Sequence, residues 1–229
     1  MHRSGTSGVT RLLNLAGAYF GPDGIATEPN EENPRGFWER RDVREVCDGL
    51  LHAGGHDWWK LIGFDAETLD GPDVDRWLDR FREIVAELDD HRPWVVKEPR
   101  LSVLFPLVRP LLDAPVCVHV SREPLEVARS MHQRDGFPVL SALGLWELYT
   151  LRSLEASAGL PRLHIRHQDL MDDPVGITAK LVEDLTDLGV PGLHAVPDAE
   201  VLGFISQDLH RQHQRSDQRS RHLNATQAA

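Results

Sequence analysis

The amino-acid sequence predicts an α/β fold, a doubly wound parallel sheet, and two observations support this class. Short apolar runs typical of buried parallel strands alternate with longer segments of helical periodicity. A loop of small residues near the start of the chain opens directly into a helix, as loops at the edge of such sheets do. The length of 229 residues suits one domain, predicted at 1–214, with a polar, disordered tail at 215–229.

Each predicted element has its own signal in the sequence. The strands are short apolar runs and lie at 94–97, 116–121 and 163–166. The helices carry apolar residues at a spacing of three or four and lie at 6–18, 39–51, 73–88, 124–133, 140–158 and 174–188. Residues 20–35 are rich in Gly, Pro, Asn and Asp, which predicts a loop.

Composition narrows the classes of function. The formal net charge of −11 argues against a nucleic-acid partner, because binding a phosphate backbone needs a broad basic surface. No apolar run is long enough to span a membrane. Cys47 and Cys117 stand alone, and we interpret both as reduced core residues of a cytoplasmic protein.

The twelve histidines do not predict a metal site. His210 and His213 are three residues apart, as are His164 and His167, but no nearby Cys or carboxylate completes either pair. We therefore predict no metal cofactor.

The segment His-Arg-Ser-Gly-Thr-Ser at positions 2–7 predicts an anion site. A loop that opens a helix leaves backbone N–H groups unpaired at the positive end of the helix dipole. Gly5 allows a tight turn, Arg3 adds a guanidinium, and hydroxyl donors come from Ser4, Thr6 and Ser7. The Walker A pattern is absent from this segment, and an ordinary N-capped helix start remains an alternative.

Two further segments supply polar side chains at predicted strand ends. Arg122 follows the strand at 116–121, and Ser130 lies eight residues later on the next helix. The segment Val-Lys-Glu-Pro-Arg occupies positions 96–100. With the loop at 2–7, these segments resemble the PAPS-dependent sulfotransferases in residue type and order. The resemblance covers the chain to about position 188 and implies their P-loop-like nucleotide-binding fold.

Two weaker matches extend the resemblance. Asn-Pro-Arg-Gly-Phe-Trp-Glu at 33–39 is similar to the bacterial branch whose loops read His-Arg-Ser-Gly-Thr-Ser. His-Gln-Asp-Leu at 167–170 is similar to a Tyr-Glu-Asp-Leu stretch of the family, but two of its four residues differ. We assign no ligand role to that stretch.

The resemblance implies how the donor, 3′-phosphoadenosine 5′-phosphosulfate (PAPS), would be held. Arg3 and the loop would bind its 5′-phosphosulfate, and Arg122 with Ser130 would bind its 3′-phosphate. Lys97 would move toward the bridging oxygen as charge develops there. Arg100 would add to the positive charge of the same cleft.

The resemblance also implies a general base for the acceptor hydroxyl. Glu39 is our choice, because the neighbouring aromatic residues would exclude water from it. Glu31 and Glu32 remain alternatives. No metal is required, since the cations of the protein take the role that Mg²⁺ has in kinases.

In the family, a first strand leads directly into the loop, whereas here Met1 alone precedes His2. The fold class is therefore expected with its first strand truncated. We expect the missing strand to be encoded upstream, as an apolar run of about five to eight residues.

The leading hypothesis for function is sulfuryl transfer from PAPS to a hydroxyl of a carbohydrate or secondary metabolite. The alternatives are a non-catalytic module that binds PAPS or its product and, less favoured because the Walker lysine is missing, a small-molecule kinase. Four aromatic residues are either walls of an acceptor pocket or plain core: Trp38, Trp58, Trp59 and Phe64. The sequence does not indicate the acceptor or the oligomeric state.

Overall fold

The computed structural model describes residues 1–27 and 37–205. The candidate bases Glu31 and Glu32 and the predicted tail at 215–229 lie outside the described residues. The α-helices are α1 (Thr6–Leu15), α2 (Arg41–Ala53), α3 (Pro72–Asp89), α4 (Leu101–Val108), α5 (Pro124–Asp135), α6 (Val139–Ala156), α7 (His167–Asp172) and α8 (Pro174–Asp187). The strands are β1 (Cys117–Ser121) and β2 (Arg162–Arg166). Short 3₁₀ turns occupy Ala66–Thr68 and Arg109–Leu111, and residues 198–205 are also helical.

Local sequence accounts for where the regular helices begin. Helix α3 follows Gly71, has Pro72 in its first turn, and carries Asp73 and Asp75 at its positive end. Helix α5 is capped by the Glu123 side chain, which accepts from the N–H of Glu126. It ends at Gly136, whose φ of +73° is in the left-handed region that glycine adopts most readily. The predicted helices are therefore confirmed to within a few residues at either end.

Several elements differ from the prediction. Helix α7 and the helical residues 198–205 were not predicted. Helix α4 was not predicted, and it forms although Pro106 lies within it. Residues 94–97 are not a regular strand: Trp94 forms an isolated parallel bridge with Tyr19, and the rest of the segment is irregular. A strand needs a partner along its length, and this segment has one only at its first residue.

The sheet of the described residues has two parallel strands. Cys117 on β1 is opposite Arg162 on β2, and the register runs in step to Ser121 and Arg166. Helices α5 and α6 connect the two strands, as a parallel pair requires. The fold is thus mixed helix and strand, compatible with an α/β class, and the larger doubly wound sheet remains a prediction.

The buried apolar residues form two clusters. The first contains residues of α2, α3, α4, α5 and α6, and the second contains residues of α1, α7, α8 and β2. Cys47 is fully buried in the first cluster, whereas Cys117 is only half-buried, so the expectation that both belong to the core is wrong for Cys117. The helices within residues 1–27 and 37–205 are too short or too polar to span a bilayer.

Candidate functional site

The loop at 2–7 opens α1 as the sequence predicts. Gly5 is the N-cap residue, with a φ of +87° that a residue with a side chain rarely adopts. Ser4 is buried, and within the described residues no side chain caps the helix and no acidic residue lies in its first turn. The first N–H groups of a helix have no partner within the helix, so this end presents donors and a positive dipole to an anion.

His167, at the start of α7, packs against the loop. A side chain added at Gly5 would collide with the imidazole of His167, so the close approach requires glycine. Burial, together with the nearby Arg122, lowers the pKa of His167 to about 4, while Glu126 opposes the shift. A neutral imidazole therefore faces the loop at neutral pH. Sequence reasoning assigned His167 no role, although its position directly after a strand of a parallel sheet is a signal for a site residue.

Lys97 and Glu39, which are 58 residues apart in the sequence, meet beside the loop. The Lys97 Nζ lies 2.5 Å from Glu39 Oε1, 2.6 Å from the carbonyl oxygen of Phe37 and 3.2 Å from Ser7 Oγ. The Lys97 and Glu39 side chains are only 11% and 10% exposed. Burial lowers the pKa of Lys97, and the adjacent Glu39 carboxylate partly opposes this effect.

Arg3 connects the loop to the second predicted binding segment. Its Nε donates to Ser130 Oγ on α5 at 2.8 Å, across 127 positions of sequence. The Nη1 of Arg122, just beyond β1, donates to the carbonyl oxygen of Arg3 at 3.4 Å. Arg122 Nε also donates to Glu126 Oε2 at 2.9 Å on the exposed surface of α5. Arg3, Arg122 and Ser130 therefore lie close together, and the hydrogen bond to Ser130 comes from Arg3, whereas the resemblance pairs Ser130 with Arg122.

Arg100 has different surroundings from those predicted. Its Nη1 donates to Glu98 Oε1 at 2.7 Å, and its Nε lies 2.6 Å from Asp48 Oδ1 on α2. Both Arg100 and Glu98 are buried, and this burial raises the pKa of Glu98 while Arg100 opposes the rise. The guanidinium is thus paired with two carboxylates, although its charge still helps to lower the pKa of Lys97 and of His2. A contribution of Arg100 to the positive charge of the cleft remains a prediction.

The four aromatic candidates do not form one wall. Trp58 lies beside the loop, with its ring 4.8 Å from that of His2, and half-exposed Trp59 lies 6.3 Å from Phe137. Trp38 packs against Phe20, 5.3 Å away, and carries the guanidinium of Arg11 over its ring at 4.7 Å.

Phe64, the last of the four, is buried in the first core cluster, beside His56. Of this set, Trp58 contacts the loop through His2, and Trp38 lies between Phe37 and Glu39, which contact Ser7 and Lys97.

The site combines three cations and a helix start with two carboxylates, Glu39 on Lys97 and Glu126 on Arg122. Arg3, Lys97 and Arg122 supply positive charge in a chain whose formal net charge is −11. Within residues 1–27 and 37–205, no cluster of three His, Cys, Asp or Glu side chains is arranged to hold a metal ion.

Comparison with known proteins identifies no relative. No family model matches the chain, and no curated protein or solved structure is significantly similar to it.

Proposed function

We propose that this protein transfers a sulfuryl group from PAPS to a hydroxyl of a carbohydrate or secondary metabolite. The observation that carries the proposal is the meeting of Lys97, Glu39 and Ser7 at the start of α1. An in-line transfer from an anionic donor needs a cation, a carboxylate and a helix start in contact with one another. The motif resemblance to PAPS-dependent sulfotransferases supplies the identity of the donor.

The contacts of Arg3 support a donor with two phosphate positions. One position is at the start of α1, and the other is near Arg122 and Ser130. Arg3 belongs to the first position and Ser130 to the second, and the two side chains are hydrogen-bonded. An anion bound at one position therefore affects the binding groups at the other. An adenosine carrying both a 5′- and a 3′-phosphate group matches two such positions on one ligand.

The chemistry requires little covalent participation by the protein. A sulfur–oxygen bond forms to the acceptor while the bond from sulfur to the 5′-phosphate oxygen breaks, and adenosine 3′,5′-bisphosphate leaves. Glu39 accepts the proton of the acceptor hydroxyl. Lys97 and Arg3 stabilise the negative charge that develops on the leaving phosphate oxygen.

The present contacts of Lys97 fit this division of roles. Its ammonium group has three donors, and they are directed at Ser7, Phe37 and Glu39. When a phosphosulfate binds at the loop, its oxygens compete for these donors. Release of Glu39 from Lys97 then makes its carboxylate available to the acceptor hydroxyl.

Calorimetric titration with three nucleotides tests the donor. We expect adenosine 3′,5′-bisphosphate to bind at least about tenfold more tightly than adenosine 5′-monophosphate, because of the charge-assisted contacts to its second phosphate. ATP should bind more weakly than the bisphosphate. Tighter binding of ATP would instead favour a kinase and contradict the proposal.

Transfer of radioactive sulfate from labelled PAPS tests the reaction. The acceptors are a panel of monosaccharides, oligosaccharides and phenols, and labelled product with at least one of them is the expected result. Tight binding of the bisphosphate without transfer to any acceptor, and without hydrolysis of PAPS, would identify a non-catalytic binding module.

A further inference from the structure

Trp38 combines two locally unfavourable features. Its φ of +48° lies in the left-handed region that a bulky residue rarely adopts. Its indole Nε1 is shielded from solvent and has no hydrogen-bond partner within residues 1–27 and 37–205. A strained backbone and a buried donor without a partner both cost free energy, and they persist only where the surrounding structure imposes them. The contacts of Trp38 therefore have to be strong enough to hold this conformation.

The ring of Trp38 is held on two sides. Phe20 packs edge-on against it, with the ring centroids 5.3 Å apart, and the guanidinium of Arg11 on α1 lies over the ring, 4.7 Å from its centroid. Edge-to-face aromatic pairs and cation–π contacts add attraction beyond the burial of apolar area. Arg11 is itself fixed, because its Nη1 donates to Asn14 Oδ1 at 2.6 Å. The ring therefore ties the segment at 37–39 to helix α1.

The conformation of Trp38 brings its two neighbours onto the same ammonium group. The carbonyl oxygen of Phe37 accepts from Lys97 Nζ at 2.6 Å, and Glu39 Oε1 lies 2.5 Å from the same nitrogen. The φ angle of residue 38 sets the direction of the preceding carbonyl relative to the residue that follows. A negative φ at Trp38 would rotate Phe37 away from Glu39, and one of the two contacts with Lys97 would be lost.

Glu39 has a second support that does not involve Lys97. In the proposed reaction the donor competes for Lys97 Nζ, so the carboxylate must stay in place without that contact. The carbonyl oxygen of Glu39 accepts from the N–H of Thr27 at 2.7 Å and from Thr27 Oγ1 at 3.1 Å. Thr27 thus fixes the backbone at Glu39, and Trp38 fixes the residue before it.

We propose that Trp38 is a positioning residue, whose ring, clamped by Phe20 and Arg11, holds the turn at 37–39 so that Glu39 meets the acceptor hydroxyl. The role of Glu39 as the base rests on the proposed function, whereas the geometry of the turn does not. General-base catalysis needs the carboxylate within hydrogen-bonding reach of the proton that it accepts. A displaced turn therefore lowers turnover more than it weakens donor binding.

Three replacements of Trp38 separate strain from packing. Trp38→Gly and Trp38→Ala both remove the ring, but only glycine adopts a positive φ without strain. Trp38→Phe keeps an aromatic ring between Phe20 and Arg11. If the ring only fills space, alanine should serve at least as well as glycine. If the ring holds the turn, glycine should serve better than alanine.

The first measurement is the kinetics of sulfuryl transfer. We expect Trp38→Ala to lower kcat by about 10–10²-fold, because a small displacement of the base is enough to do so. Trp38→Gly should keep a kcat at least about threefold above that of Trp38→Ala, and Trp38→Phe should stay within about threefold of the unaltered protein. The affinity for adenosine 3′,5′-bisphosphate should change by less than about threefold in all of them.

A fourth variant tests the link to α1. Arg11→Met removes the guanidinium from the ring of Trp38 while keeping a long side chain, and we expect kcat to fall by about two- to fivefold. The matched control is Arg76→Met on α3, which removes a guanidinium that lies 5.5 Å from the ring centroid of Trp77. This control should leave kcat unchanged.

The second measurement, acetylation of Lys97 by acetic anhydride, tests the turn without any transfer. The Lys97 side chain is 11% exposed and that of Lys180 is 66% exposed, so Lys180 serves as the internal reference in mass spectrometry. We expect acetylation of Lys97 relative to Lys180 to rise by about fivefold or more in Trp38→Ala, because loss of the turn opens the site. The rise should be smaller in Trp38→Gly and absent in Trp38→Phe.

Two results would overturn the proposal. Equal acetylation of Lys97 in Trp38→Ala and in the unaltered protein would show that Trp38 does not hold the turn. Faster acetylation in Trp38→Gly than in Trp38→Ala would show that the ring only fills space. If Trp38→Ala did not fold, Arg11→Met against Arg76→Met would provide the same comparison.

Failure of the proposed function has a different signature. The unaltered protein would then transfer no sulfuryl group to any acceptor, while the order of acetylation among the Trp38 variants would still decide whether the turn is held by the ring.

Discussion

The two ion pairs beside the loop differ in how far they are removed from water. The Lys97–Glu39 pair is 11% and 10% exposed, whereas the Arg122–Glu126 pair is 16% and 48% exposed. Their shortest distances are similar, at 2.5 Å and 2.9 Å. The two ion pairs therefore differ in burial and not in the distance between their charged atoms.

This difference determines what each pair is able to do. In the buried pair, each charge depends on the other because water solvates neither, so breaking the pair is costly. In the exposed pair, water screens the attraction, and an arriving anion can replace Glu126 at Arg122 with little loss. The first arrangement suits groups that act on reacting atoms, and the second suits a group that exchanges a carboxylate for a ligand phosphate.

The largest expected effect is on turnover. Glu39→Gln keeps the size of the side chain but removes its ability to accept a proton at neutral pH. We expect turnover of PAPS with a working acceptor to fall by about 10²–10⁴-fold, with the affinity for adenosine 3′,5′-bisphosphate retained or slightly raised, because Lys97 no longer pairs with a carboxylate. The control is Glu45→Gln on the exposed surface of α2, which should retain full turnover. If Glu39→Gln retained full turnover, the general base would instead be Glu31 or Glu32.

The second effect is on the free energy of unfolding, when the buried Lys97–Glu39 pair is broken. Lys97→Met leaves the Glu39 carboxylate buried without its cation, and we expect a loss of about 3–5 kcal/mol in the free energy of unfolding. Urea unfolding at neutral pH measures it. The double variant Lys97→Met with Glu39→Leu should recover much of the loss, because both charges are then absent. A loss below 1 kcal/mol, the value typical of surface pairs, would show that the pair is effectively solvated.

The third effect is on binding at the exposed pair. Arg122→Ala should weaken adenosine 3′,5′-bisphosphate by about 1.5–3 kcal/mol and leave adenosine 5′-monophosphate nearly unchanged. The matched control is Arg129→Ala, an exposed arginine on α5, the helix that follows Arg122. Calorimetry on both nucleotides measures the difference. If both nucleotides lost affinity equally, Arg122 would act on the part of the ligand that they share.

The smallest effect concerns the acidic partner of Arg122. Glu126→Gln removes an exposed pair four residues apart on the surface of α5, worth about 0.3–0.5 kcal/mol of stability. It should also tighten the bisphosphate slightly, because the phosphate no longer competes with a carboxylate for Arg122. Thermal unfolding and titration at low salt measure both changes. A large loss of stability would show that this pair stabilises the fold as strongly as the Lys97–Glu39 pair does, and the contrast between the two pairs would not hold.

Sequence reasoning succeeded where the signal is local. The helix after Pro72 and the helix from Pro124 to a terminal glycine were predictable, because capping, proline placement and apolar spacing act within a few residues. The loop at 2–7 belongs to the same class, since Gly5 and the helix start after it are adjacent in sequence.

Sequence reasoning failed where the outcome depends on distant partners. The ion pairs of Arg100 were not predicted: its partners are Glu98 and Asp48, and Asp48 is 52 positions earlier in the sequence. Residues 94–97 have the composition of a strand, yet pairing decides whether such a segment becomes one. His167 was missed because its approach to Gly5 exists only in the folded chain.

The sequence by itself determined the bounds of six helices (α1, α2, α3, α5, α6 and α8), and it indicated the tight turn at Gly5 before α1. These follow from backbone sterics and from side chains that interact over one or two helical turns. Only the tertiary structure decided which charges meet, because an ion pair depends on distance and burial rather than on position in the chain. Lys97 therefore has Glu39 as its partner, Arg100 is paired with Asp48 and Glu98, and Arg3 bonds to Ser130 across 127 positions of sequence.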